Sequence, residues 1–97
     1  MITHVVLMKF TEESRQANRD RARDMLLSMV GKVETLRHLE VGLDEVHSDR
    51  SCDLALVTRF DDMPGLEAYR IHPVHVEVKR FLQDVTEMTH VVDYKSH

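Results

Sequence analysis

Residues 2–10, ITHVVLMKF, place Ile2, His4, Val6, Met8 and Phe10 on one side of an extended chain and Thr3, Val5, Leu7 and Lys9 on the other, because successive side chains of a strand point to opposite faces. Both sides are largely apolar. A sheet covered on one face alone shows polar residues on its open face, so this strand predicts a sheet covered twice. The chain has only 97 residues, enough for one small domain with a modest core of its own. Whatever covers the second face has to be found with few residues to spare.

The remaining segments supply one cover. Thr11 and Ser14 are candidate helix N-caps, with Glu12 and Glu13 where acidic groups favour the helix dipole. Ala22, Met25, Leu26, Met29 and Val33 then recur at spacings of three and four, which predicts an amphipathic helix running to about residue 33. Residues 39–48, LEVGLDEVHS, alternate again, SDRS at 48–51 has turn chemistry, and CDLALVTRF at 52–60 predicts a third strand in a hairpin with the second. Asp61 or Asp62 caps a helix with Pro64 in its first turn, followed by Leu66, Ala68 and Tyr69. Pro73 disfavours helical geometry at His72, so a break is predicted there, with a new helix from 74 to about 84 burying Val74, Val78, Phe81 and Leu82. Residues 87–94 set Met88, His90, Val92 and Tyr94 against Thr89, Val91 and Asp93, a fourth strand.

The order β, α, β, β, α, β is the split-βαβ arrangement of ferredoxin-like α+β domains. Its helices cover one face of the sheet. A second copy of the chain is the economical cover for the other, giving a homodimeric α+β barrel.

Charge and composition remove several function classes. The formal net charge is −4 and the basic residues are scattered among acidic ones, which points away from nucleic acid. The first ten residues are too short an apolar run for a bilayer span and have no positive leader, so the expectation is a cytoplasmic protein with no membrane partner. Cys52 is the single cysteine, which rules out an internal disulfide or a multi-cysteine metal site; it reads as a small side chain at a strand start. His97, the last residue, reads as a frayed end or an expression scar.

His4 in the first strand, Gly42 in the second, Asp53-Leu54 and Phe60 in the third, Tyr69-Arg-Ile-His72-Pro73-Val-His75 in the second helical region and Val92-Asp93-Tyr94 near the end together resemble the stress-responsive dimeric A/B barrel family, the Dabb domains. The likeness spans nearly the whole chain, and its most specific element is the Tyr-x-x-His-Pro-x-His run. It implies a ferredoxin-like homodimer with a small-molecule cavity and no cofactor, and some members are associated with stress tolerance. A more distant likeness is to olivetolic acid cyclase, a cofactor-free enzyme that closes a linear polyketide thioester by aldol condensation. There a Tyr and the second His of the run carry the chemistry; they match Tyr69 and His75, and a cavity-lining His of the first strand matches His4.

The residue types suit that chemistry. Removing a proton beside a carbonyl needs a base such as an imidazole, whose ordinary pKa is about 6.5, and the developing oxyanion needs a donor such as a phenol. The plainer reading is that the Tyr69 hydroxyl is hydrogen-bonded at the barrel mouth while His72 and His75 cap a helix or bridge to a partner. His4, His72, Val6 and Met8 are the expected pocket lining, since a lone polar group in an apolar cavity is how small-molecule sites are built. His72 and His75 with His4 or His90 form the only metal set worth weighing, but the proline break spoils regular helical spacing, and no metal is expected. Arg59 and Arg70 suit an anionic substrate only if they leave solvent. Small-molecule binding is therefore the leading expectation, ahead of a cofactor-independent cyclase or lyase acting on a polyketide-like carbonyl compound with His75 as base and Tyr69 as donor. A structural assembly protein comes third. A binder or catalyst needs a closed, partly apolar pocket into which Tyr69, His75 and His4 converge; an assembly protein fills that volume with side chains.

Overall fold

In the computed structural model, which describes residues 1–96, the alternating segments are strands: β1 (Ile2–Phe10), β2 (His38–Leu43), β3 (Leu54–Phe60) and β4 (Thr86–Lys95). The helices are α1 (Arg15–Leu27), α2 (Met63–Ile71) and α3 (Pro73–Val85). The reading of His97 falls outside the described residues. The strands form one antiparallel sheet in the order β2-β3-β1-β4, so the chain is a ferredoxin-like α+β domain.

Register decides what each face carries. His4 lies between Thr58 and Asp93, Val6 between Leu56 and Val91, and Met8 between Leu54 and Thr89. These rows point at the helices, where Phe10, Leu26, Met29, Leu54, Phe60 and Leu66 are buried. Burial of this kind contributes about 1.5–3 kcal/mol per large side chain. Arg21 lays its guanidinium over the Phe81 ring at 4.6 Å and ties α1 to α3. The opposite rows, Val5 with Val57 and Val92 and Leu7 with Ala55 and His90, face away from the helices. On that side Val92 is 53 % exposed.

Three sequence expectations are corrected. First, α1 ends at Leu27, not near residue 33. Beyond it Met29, Val30 and Lys32 donate to carbonyls three residues back, and Gly31 adopts φ 83. Successive tight turns repeat about every three residues and hold Met29 and Val33 in the core as a helix would. Second, Ser14 stands at the start of α1 with a left-handed backbone and makes no side-chain cap. Third, β2 stops at Leu43 because the Asp44 carboxylate takes the N–H groups of Val46 and His47, at 3.4 and 2.7 Å, and His47 turns to φ 57. Cys52 consequently lies in the loop before β3.

Around the helices that carry the site, the local rules hold. Asp62 caps α2 by accepting the Gly65 N–H at 2.9 Å. His72 is extended, with ψ 134, and Pro73 opens α3. No described helix is long and apolar enough to cross a membrane.

Candidate functional site

The break at His72 lets two neighbouring helices aim at one place. Tyr69 from α2 and His75 from α3 meet with ring centroids 4.3 Å apart, and the His4 ring of β1 lies 6.2 Å from Tyr69. All three line a cavity of about 370 Å³ between the sheet and the helices. Val6, Met8, Leu26 and Leu56 also line it, and as buried residues they form its apolar floor. Four of the expected site positions, His4, Val6, Met8 and Tyr69, thus share this space with His75.

His72 does not. Its Nδ1 accepts the Val74 N–H at 3.1 Å, so the ring caps α3 and is absent from the cavity wall. This corrects its expected place in the pocket: a helix that starts with proline still has an orphan N–H at its second position, and the preceding side chain is the nearest acceptor. His90 is also remote, since it points to the outer face beside Leu7.

Hydrogen bonds fix which ring nitrogen of each imidazole carries a proton. His75 Nδ1 lies 3.0 Å from the Arg70 carbonyl; a carbonyl only accepts, so Nδ1 carries the proton and a neutral ring keeps a lone pair on Nε2. Burial holds the His75 pKa below its ordinary value, and Lys79, His4 and Arg70 push the same way against the Arg70 carbonyl, which pulls it up. His4 Nδ1 donates to the Asp93 carboxylate, which also lies 3.6 Å from Arg70 Nη2. A neutral His4 accordingly presents Nε2 as an acceptor. Tyr69 is different. Its hydroxyl is buried with no partner among the described residues, and burial raises its pKa well above the phenol range. It is a neutral donor whose hydrogen-bonding demand is unmet, a state that costs about 1–3 kcal/mol. The expected hydrogen bond at the barrel mouth is therefore not made.

The His75 titration has a definite sign. In the unfolded chain it titrates near 6.5; in the fold it titrates lower, so between the two values the unfolded state binds more protons. The stability contributed by a neutral His75 is complete above about pH 6.5 and is lost as pH falls through the folded value. Ring-proton NMR is expected to show a His75 midpoint below 6.5 that climbs when Lys79 is replaced by Met. A midpoint at or above 6.5 in the parent chain would contradict this.

Sequence reading quoted Asp93 only as part of the family resemblance and missed its partnership with His4, which spans almost the full chain and depends on the β1–β4 register. The available signal was an acid alternating onto the Thr89 and Val91 face of an apolar strand. It also missed Lys79 in the cavity wall, though Lys79 follows His75 by four residues and so shares its helix face.

The four-stranded ferredoxin-like sheet with helices on one face places the chain among small α+β proteins. The family model for the Stress Responsive A/B Barrel Domain matches residues 2–96, and the chain belongs to that family. A dimeric ferredoxin-like protein of unknown function from Bacteroides fragilis is similar, with 25% identity, TM-score 0.88, and coverage of 98% of this chain and 95% of that one. A second dimeric ferredoxin-like protein of unknown function, from Thermobifida fusca, shares 19% identity over 98% and 90% of the two chains at TM-score 0.89. A hydroxynitrile lyase from Passiflora edulis shares the fold at 13% identity, TM-score 0.85, over 96% and 90%. No curated protein matches the sequence.

Proposed function

We propose that this chain is a homodimeric small-molecule-binding protein, in which two copies close their open sheet faces into an α+β barrel and each holds a ligand under its helices. The observation that carries the reading is the mostly apolar cavity on which His4, Tyr69 and His75 converge, partly open to solvent where the sequence predicted a closed pocket. Pockets of this size with few polar groups are the usual form of small-molecule sites, and an assembly protein has no use for the space. Similarity to dimeric proteins supports the second copy, as does the apolar outer face. The same reading places the protein in the cytoplasm, in keeping with the free Cys52.

Tyr69 supplies the test. Tyr69→Phe removes the unpartnered hydroxyl but keeps the ring, so the apo protein is expected to be as stable as the parent or up to about 1 kcal/mol more stable. In a thermal-shift screen of carbonyl and hydroxy compounds, parent-chain ligands are expected to lose part of their stabilisation in the variant; that stabilisation is about 2.7 kcal/mol at a hundredfold excess over Kd. If no compound stabilises the parent chain across such a screen, the binding reading fails.

A specific observation supports one further reading. The Nε2 lone pair of His75 and the neutral Tyr69 phenol stand side by side, the base and the donor that enolisation of a carbonyl compound requires. A cofactor-independent cyclase or lyase uses that pair, and ligand binding is its first step.

A further inference from the structure

The cavity wall includes Arg70 and Lys79 and no Asp or Glu, although the chain has 17 acidic residues against 13 basic ones. Both cations are exposed, whereas Val6, Met8, Leu26 and Leu56 are buried. The charges therefore stand at the mouth and the apolar groups at the floor. Lys79 makes no ion pair among the described residues. Arg70 faces Asp93 at 3.6 Å and Glu67 at 3.8 Å, both longer than a charge-assisted hydrogen bond. Its charge is partly offset, yet its donors remain available.

Resting on the reading that this cavity holds a small molecule, we propose that its ligand is an amphipathic carboxylate, with the head group at Lys79 and Arg70 and the apolar body over Met8, Leu26 and Leu56. One free cation, Lys79, balances a single negative charge, while Arg70, already faced by Asp93 and Glu67, adds donors rather than charge; this favours a carboxylate over a phosphate dianion. The floor offers no partner for a second charge, and burying one there is costly. The 370 Å³ volume accommodates roughly a dozen non-hydrogen atoms at about 30 Å³ each, the share of liquid volume that a water takes. A carbonyl or hydroxyl midway along such a molecule comes to the Tyr69 and His75 wall.

Decanoate and decan-1-ol match in length and differ in charge, so together they test the proposal. Calorimetry near neutral pH is expected to show decanoate binding about tenfold tighter than the alcohol, the worth of one charged hydrogen bond. The His75 ring signals are expected to shift with both. Lys79→Met is expected to weaken decanoate about tenfold and the alcohol much less, abolishing most of that preference; added salt narrows the preference in the parent chain. If the alcohol binds as tightly as the acid, or if Lys79→Met weakens both equally, the carboxylate proposal is overturned while the binding reading stands. If neither compound moves the His75 signals, the carboxylate proposal is overturned and the binding reading rests on the screen of carbonyl and hydroxy compounds.

Discussion

A Val92→Asp chain is expected to run as a monomer of 11.3 kDa under conditions where the parent runs at twice that mass. Val92 is 53 % exposed and sits in the row Val57, Val5, Val92 on the face turned away from the helices. In a single copy an Asp there reaches water and costs little. In a symmetric dimer the same patch meets itself, so the substitution buries two uncompensated carboxylates, each costing several kcal/mol. Light scattering across a concentration series reads the result. A variant that remains dimeric at the parent's concentration would show that the two copies meet elsewhere.

Carbonyl compounds held in the cavity are expected to exchange their α-hydrogens with deuterated solvent about 10²–10⁴ times more slowly in His75→Ala than in the parent chain, the usual worth of a positioned general base. The site explains why the loss concentrates there. The Arg70 carbonyl fixes the proton on Nδ1, burial and the neighbouring cations keep the ring neutral, and Nε2 is left as the base. Mass spectrometry of a bound ketone measures the exchange. Equal exchange in both chains would remove His75 from the chemistry, and no exchange in either would leave ligand binding as the whole function.

Strand faces were legible because burial sorts side chains with a strict period of two. The assignments of Ile2 to Phe10 and of Met88 to Tyr94 needed nothing beyond that alternation. A cap at Asp61 or Asp62 and the Pro73 break were legible for a different reason: each follows from one residue's local chemistry, and the structure uses the Asp62 carboxylate. The end of α1 was hidden because tight turns place Met29 and Val33 as a helix does. What joins distant segments was hidden as well. His4 and Asp93 meet through strand pairing that no local pattern encodes, and the use of His72 as a cap rather than a wall follows from where the next helix starts.

β4 interleaves two tasks along its length. Thr89 and Val91 border the cavity and Asp93 orients His4, while His90, Val92 and Tyr94 point outward. On the proposed reading, point substitutions explore ligand preference and self-association as nearly separate traits, each drifting without disturbing the other. A one-residue insertion or deletion within the strand exchanges the two sets at a stroke. If the cavity holds a ligand as proposed, descendants of such a chain are free to diversify in what they bind, provided the length of this strand is kept.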